Sequence, residues 1–427
     1  MTTWLFLGFT VLMLLRVPVA MAIGGAVIIA LIAGGYGDGL YIVPQQVLEG
    51  VDNASLVAVP FFILTGNLMN VSGMTDKIFN FAMTLVGHMK AGLAQVNVLA
   101  SMIFAGVNGT AVGDIAGLGQ LEVKAMRERG YPADFSAALT VSSAVVGPII
   151  PPSVGLVVFA FLSNTSVARL FLGGIIPGIL VGVSLMIFNR VYAVRFNIPT
   201  QPRASVRQVI SSAWEGIAAL VAPGIIMGAI ITGFTTATEA GVLACMYALT
   251  VGLLYRQLTW AHLWKALTDT MLMTSVVMVI VGFSTVMGWL LAIEQAPQRL
   301  AQAMLGMTDS KPIFLALLII FFLIIGCFVE GVPAKLILVP ALLPITDAYG
   351  VDRVHFGLII QLGLLIGIAT PPMGIGLYVV SEVARVPFEK VTIAILPMLI
   401  PLIITLILVT YIPELTLFLP NLIMGKD

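Results

Sequence analysis

The chain has 427 residues, of which 59% are hydrophobic and 9% are charged, and its formal net charge is zero. Soluble domains carry about 25% charged residues, so this composition and a mean hydropathy of +1.09 indicate a multi-pass α-helical membrane protein. The zero net charge excludes a nucleic-acid-binding surface. Two cysteines without a C-x-x-C spacing exclude a disulfide framework and a thiolate metal site.

Eleven apolar segments predict the membrane-embedded elements. The first is long enough for one tilted span or two short ones, and it contains no evident cleavable signal peptide. The positive-inside rule places the linker 190–207, with its four arginines, in the cytoplasm, and cytoplasmic loops then hold thirteen of the twenty Lys and Arg residues. The segments are 4–36, 55–73, 94–118, 135–162, 168–190, 209–232, 237–255, 270–292, 312–346, 355–382 and 391–420.

Two of these segments, 94–118 and 312–346, are predicted to be re-entrant helical hairpins. Each has turn-forming residues at its centre, in "FAGVNGTAVGD" and "CFVEGVPAKL". A plain transmembrane helix is the alternative for each. It would invert the charge bias of every later loop, so the hairpin is the favoured interpretation.

Two further segments, 135–162 and 355–382, are predicted to be broken helices. In "GPIIPPSVG" and "GIATPPMGIG" a glycine and Pro-Pro are separated by three residues, and the second Pro-Pro lies 220 residues after the first. Proline interrupts helical hydrogen bonds. An odd number of crossings between the copies makes the second copy inverted. Inverted repeats with broken helices are typical of secondary transporters and mark their binding sites.

The predicted chain therefore has four parts. N-terminal scaffold helices are followed by a first repeat, by central scaffold helices with an interfacial amphipathic helix, and by a second repeat. The bounds of these parts are 1–54, 55–208, 209–269 and 270–427. Each repeat contains one hairpin and one broken helix, which form the moving part.

Each hairpin tip is predicted to form a cation site with a broken helix, because unwound carbonyls and hydroxyls suit a hard monovalent cation. The candidates for the first site are Asn108, Gly109, Thr110, Gly147 and Ser153. The candidates for the second site are Glu330, Gly331, Val332, Gly367, Thr370 and Gly374. The candidate substrate contacts are Asp114, Ser142, Pro151, Pro371 and Lys335.

Each of these residues has a structural alternative. The glycines could serve only close helix packing. Lys335 could pair with Glu330 or extend to the outer surface instead of meeting an anion. The Thr-rich turn "GFTTATEAG" could be a helix cap or contribute to transport.

No motif predicts an enzyme. The three histidines are scattered, and the chain has no H-E-x-x-H, no G-x-S-x-G and no Walker A sequence. Neither a catalytic residue nor ATP hydrolysis is therefore expected.

Five motifs in chain order resemble the large membrane (M) subunit of TRAP (tripartite ATP-independent periplasmic) transporters, of the ion transporter superfamily. They are "LVAVPFFILTGNLM", "AGVNGTAVGD", "VVGPIIPPSVGLVV", "TTATEAGVLA" and "HFGLIIQLGLLIGIATPPMGIGLYV". The resemblance implies an elevator-type transporter with Na⁺ as its coupling ion and no cofactor. Its sodium sites match the two clusters above. Lys335 departs from the apolar residue that is usual at its position.

The same resemblance implies the import of a small organic anion across a bacterial or archaeal inner membrane. The expected substrates are a C4-dicarboxylate, sialic acid or another sugar acid. The expected partners are a small four-helix membrane subunit (Q type), encoded as a separate chain, and a periplasmic substrate-binding protein (P type). The first partner is expected to contact the scaffold segments 4–36, 209–232 and 237–255 together with the amphipathic stretch "RQLTWAHLWKAL". A stand-alone sodium–carboxylate symporter of similar architecture is the alternative.

Overall fold

The computed structural model describes residues 1–15, 17–52, 56–108, 110–192, 202–296, 299, 308 and 310–426. The regular elements of this part of the chain are all helices, as predicted. Seven of them are long and apolar enough to cross a membrane.

In the first half the helices are α1 Thr2–Leu14, α2 Val19–Ala33, α3 Ile42–Val51 (after a short 3₁₀ helix, Gly37–Tyr41), α4 Ala58–Val71, α5 Met74–Val86, α6 Gly92–Asn108, α7 Ala111–Ala116, α8 Leu118–Glu128, α9 Ala133–Ala144, α10 Val154–Ser163 and α11 Val167–Tyr192. In the second half they are α12 Val206–Ile231, α13 Ala237–Leu254, α14 Trp260–Ile293, α15 Lys311–Phe328, α16 Gly331–Ala348, α17 Arg353–Gly367, α18 Ile375–Ala384, α19 Phe388–Tyr411 and α20 Glu414–Met424.

The first apolar segment forms two short helices, α1 and α2, that pack against each other. The Met1 ammonium lies 3.7 Å from Oε2 of Glu294, just after α14. A Cβ at Gly34, just after α2, would overlap the Met1 side chain. Both ends of this helix pair therefore lie on the side where α14 ends.

Each predicted hairpin returns to the side on which it begins. The Tyr131 hydroxyl, after α8, donates to the Ala91 carbonyl before α6 at 2.8 Å. The Tyr349 hydroxyl, after α16, donates to the Thr308 carbonyl before α15 at 2.7 Å. The first hairpin extends beyond the predicted 118, because its second arm continues through α8. Hydropathy does not indicate this arm, because α8 has a buried face and an exposed charged face and is therefore not apolar on average.

Similar backbone features recur about 220 residues apart. Gly130 and Gly350 have φ values of 87° and 62°. Their N–H groups donate to the carbonyls of Arg127 and Asp347, each at 3.0 Å. Because glycine adopts positive φ without steric cost, the same turn ends the hairpin in both halves and starts the helix that is later broken.

The remaining helices form the flanks of the structure. The turn in "GFTTATEAG" is a capping box: Thr236 Oγ1 accepts from the N–H of Glu239, and Glu239 accepts from the N–H of Thr236 at 2.8 Å. Large apolar side chains are exposed along these flanks, among them Trp4 on α1 and Trp260 and Trp264 on α14. Such a surface suits contact with lipid or with another membrane subunit.

Candidate transport site

Helix caps position the chain at the interrupted segments. Thr110 accepts a hydrogen bond from the N–H of Gly113 at 3.3 Å and so caps α7. Ser153 caps α10 in the same way, accepting from the N–H of Leu156 at 3.3 Å. Its hydroxyl also donates to the Pro148 carbonyl at 2.5 Å, so a hydrogen bond joins two residues of the non-helical stretch between α9 and α10. The peptide bonds Pro151-Pro152 and Pro371-Pro372 are both cis.

A cavity of about 30 Å³ lies where all four interrupted segments meet. One water needs about 10–15 Å³, whereas ordinary small-molecule pockets measure about 300–1,000 Å³. The cavity therefore has room for a small group and not for a whole organic molecule. Its walls include Thr110 and Ala111 of the first hairpin, Pro148 and Gly155 at the first break, Glu330 and Lys335 of the second hairpin, and Gln361 and Leu365 of α17.

Lys335 connects three of these segments. Its side chain is only 1% exposed, so it does not extend to the surface. Nζ donates to the Gly155 carbonyl at 3.0 Å and to Oε1 of Gln361, whose Nε2 donates to the Pro148 carbonyl at 2.7 Å. Glu330 interacts with Lys335 electrostatically. In the described part of the chain, however, these two side chains do not form an ion pair within 4.0 Å.

The structure separates the residues of the first predicted cation site. Thr110 lines the cavity, whereas Gly147 faces Asp114: a Cβ at Gly147 would overlap the carboxylate and would lie 3.3 Å from the Ala144 carbonyl. Gly109 and the side chain of Asn108 lie outside the described part of the chain.

The second predicted site is also divided. Glu330, Gly331 and Val332 line the cavity. Gly367 and Gly374 instead lie against the end of α15, where a Cβ at Gly367 would be 2.6 Å from the carbonyl carbon of Gly326. The N–H of Gly374 donates to the Cys327 carbonyl at 3.1 Å. Thr370 follows the end of α17, and its Oγ1 donates to the Ile366 carbonyl in the last turn of that helix at 2.7 Å.

Among the predicted substrate contacts, Lys335 is the one that lines this cavity. The Ser142 hydroxyl donates to the Ala138 carbonyl at 2.9 Å and lies beside Met398, away from the cavity. Asp114, Pro151 and Pro371 are not among the described lining residues either.

Sequence reasoning missed seven of the described residues of the cavity wall, among them Pro148, Gly155 and Gln361. Gln361 carried a usable signal, because an amide inside the apolar stretch "HFGLIIQLGLLIG" needs a partner in the membrane interior. No local pattern could have indicated Gly155, because its contact, Lys335, is 180 positions away in the sequence.

A second polar cluster was also missed. Glu122 on α8 is 1% exposed and accepts from Nδ2 of Asn97 on α6 at 2.8 Å. Hydroxyl groups of α6 and α9 complete the cluster: Ser101 donates to Glu122 at 3.4 Å, Thr140 donates to it at 3.4 Å, and Ser143 donates to Oδ1 of Asn97 at 2.7 Å. The cluster holds both hairpin arms to the first half of the broken helix.

Comparison with known proteins gives consistent matches. The family model described as "Tripartite ATP-independent periplasmic transporter, DctM component" matches residues 6–415. The chain is 45% identical over 388 residues to the sialic acid TRAP transporter large permease protein SiaM of Vibrio cholerae, covering 91% of each chain. It is 36% identical to the C4-dicarboxylate TRAP transporter large permease protein DctM of Pseudomonas aeruginosa, covering 88% of each.

A solved structure has a similar fold. The YdaH transporter of Alcanivorax borkumensis, described as having an unusual topology, superposes with a TM-score of 0.64 over 87% of this chain and 88% of its own. At 15% identity this likeness concerns the fold alone.

In the described part of the chain the regular elements are all helices, seven of them could cross a membrane, and interrupted helices meet at one cavity, which is the architecture of a membrane transporter. The chain belongs to the DctM component family of the tripartite ATP-independent periplasmic (TRAP) transporters. It is thus a large permease subunit and not an enzyme, and it is a multi-pass protein of the bacterial inner membrane.

Proposed function

We propose that this chain is the permease subunit of a sodium-coupled, binding-protein-dependent importer of a small organic anion, and that it works by an elevator mechanism. The observation that carries the proposal is the convergence of both hairpins and both breaks on one cavity. A site shared by two repeats can be moved as one body relative to the flanking helices, which is what an elevator requires.

Sodium coupling is supported by the chemistry of the hairpin–break junctions. Hard cations prefer oxygen ligands, and interrupted helices release backbone carbonyls for this purpose. At the first junction Thr110, which carries a hydroxyl, and Pro148 line the same cavity. At the second junction the backbone near Cys327 meets the backbone near Gly374. We infer one Na⁺ site at each junction and no cofactor.

The substrate and partners follow from the relatives and from the surface. SiaM is named for sialic acid and DctM for C4-dicarboxylates, so we infer a carboxylate-bearing substrate. The family is tripartite, which supports a periplasmic binding protein and a small membrane subunit as partners. The exposed apolar side chains Trp4, Phe6 and Leu7 on α1 offer the small subunit a surface.

Sodium-dependent uptake tests this function. The complex is reconstituted in liposomes with both partners, and uptake of N-acetylneuraminate and of succinate is measured against external Na⁺. The parent should take up at least one of them with a more than first-order dependence on Na⁺. Thr110→Val should require about 5- to 150-fold more Na⁺, since losing one oxygen contact costs about 1–3 kcal/mol. Thr110→Ser should restore the dependence.

The matched control is Thr250→Val, because Thr250 lies exposed on α13 with its hydroxyl bonded within the helix at 2.7 Å. It should leave the Na⁺ dependence of uptake unchanged. Uptake that persists when Na⁺ is replaced by choline at constant pH would contradict the coupling.

A further inference from the structure

Lys335 is buried without a hydrogen-bonded carboxylate in the described part of the chain. Its acceptors there are the Gly155 carbonyl, 3.0 Å away, and Oε1 of Gln361. Both acceptors are neutral. An ammonium group has three N–H donors, so these two bonds leave one donor for another partner. Burying a charged group is costly unless a counter-charge accompanies it, and Glu330 interacts with Lys335 without forming an ion pair within 4.0 Å, so a directly bonded anion would stabilise the ammonium further.

The surrounding residues hold this ammonium in place. Gln361 is oriented by its own bond to the Pro148 carbonyl at 2.7 Å, which turns its oxygen toward Lys335. A Cβ at Gly155 would overlap Nζ and would lie 2.8 Å from Oε1 of Gln361. The lysine therefore occupies a place that the first break keeps open for it. A side chain fixed by two partners loses little conformational freedom when it binds a third group.

Apart from Glu330, which also lines the cavity, the groups beside Nζ favour a negative group. The cavity includes Gly331 at the start of α16 and Gly155 in the first turn of α10. Helix N-termini carry partial positive charge and unpaired N–H donors. The volume of about 30 Å³ matches one small group of a ligand rather than a whole organic acid.

We propose that the Lys335 ammonium binds the carboxylate of the transported anion, with Gly155 and Gln361 positioning it. This rests on the proposed function and adds to it the residue that recognises the acid group. The cavity has room for one carboxylate, so the rest of the substrate lies outside it.

Anion binding tests this role directly. The chain is purified in detergent with its membrane partner at constant, saturating NaCl, and its thermal stability is titrated with N-acetylneuraminate and with succinate. In Lys335→Met the anion concentration for half-maximal stabilisation should rise at least tenfold, as for the loss of a charged hydrogen bond. Lys335→Arg, which keeps the charge, should retain part of the affinity.

The matched control is Lys311→Met, because Lys311 bonds the Gly350 carbonyl at 2.7 Å far from the cavity. It should titrate like the parent. Unchanged anion affinity in Lys335→Met, or a parent that neither anion stabilises, would overturn the proposal.

Gln361→Glu separates recognition from folding, even where Lys335→Met fails to fold. The change keeps the size of the side chain and gives Lys335 a bonded carboxylate, but it removes the Nε2 donor to the Pro148 carbonyl. The protein should therefore fold with some loss of stability, and it should bind the anion at least tenfold more weakly. A purely structural Lys335 predicts unchanged anion affinity. Since Na⁺ is held constant in all titrations, this outcome is independent of whether uptake proves to be sodium-coupled.

Discussion

Three glycines of the interrupted segments are each required by a different neighbour. Gly147 lies against the Asp114 carboxylate, Gly155 against the Lys335 ammonium and Gly367 against the backbone of Gly326. The sequence predicted Gly147 and Gly367 from the repeated G-x-x-x-P-P pattern, but it could not show what each one touches. Those neighbours lie 33 to 180 positions away, and local patterns carry no information at that distance.

The Gly367 contact predicts a large effect of one added methyl group. Gly367→Ala would place a Cβ 2.6 Å from the Gly326 carbonyl carbon, and backbone cannot rotate away as a side chain can. Overpacking of this kind costs about 1–3 kcal/mol, so the detergent-purified protein should unfold several degrees earlier.

Gly228→Ala is the control, since nothing lies within 4 Å of a Cβ at that position in α12. It should be neutral or slightly stabilising. The loss in Gly367→Ala should be the same with and without Na⁺. A loss seen only in Na⁺ would instead favour a glycine required for the ion.

At the scale of elements, the first hairpin packs on the first broken helix through a buried polar cluster as well as through apolar contacts. Asn97 and Ser101 on α6 and Thr140 on α9 all donate to or contact Glu122 on α8. Hydropathy predicted the helices but not this cluster, because α8 has the charged composition of a surface loop. Hydropathy shows which segments are apolar. It does not show which polar residues contact one another in the interior.

Truncating the carboxylate should therefore loosen the hairpin. Glu122→Ala removes the acceptor of several buried donors, each worth about 1–3 kcal/mol when left unpaired, and should lower the unfolding temperature markedly. Glu122→Gln keeps an acceptor oxygen and the size, so its effect should be smaller. Thermal unfolding followed by tryptophan fluorescence measures both.

Glu128→Ala on the exposed side of the same helix provides the comparison. It should change stability by less than about 0.5 kcal/mol. Equal losses for Glu122→Ala and Glu128→Ala would show that the polar cluster contributes no stability.

At the scale of the whole molecule, the sequence predicted the order of interrupted and continuous segments because prolines and glycines mark the interruptions. It left the first segment open between one span and two, and the structure resolves it as two helices whose ends meet α14. The sequence predicted that each hairpin tip contacts one broken helix. It did not predict that all four segments line one cavity. Contact between the two halves, through Lys335 and Gln361, was not foreseen.

Cysteine labelling tests the arrangement of the two halves in the membrane. Cys245 and Cys327 are both buried and would be replaced first. Single cysteines at Thr3, Glu128 and Ala348, which are exposed, should then label from two sides. Positions 3 and 348 should react with an impermeant reagent in intact cells, and position 128 should react only after permeabilisation.

The same experiment can reject the inverted repeat. Positions 128 and 348 end the two hairpins at corresponding places, so reaction of both from one face would contradict inversion. Reaction of position 3 only after permeabilisation would contradict the observed packing of Met1 against Glu294.

The short N-terminal pair has a consequence for the surrounding lipid. With 13 and 15 residues, α1 and α2 rise about 20 Å and 22 Å, whereas the hydrocarbon core of a bilayer is about 30 Å thick. Their neighbour α14 has 34 residues and rises about 51 Å. On one flank of the protein, two helices shorter than the hydrocarbon core thus lie next to a helix that is longer than the core. Where lipid rather than the small subunit contacts the short pair, the bilayer must thin to match it, so acyl-chain length becomes one of the conditions under which this permease works.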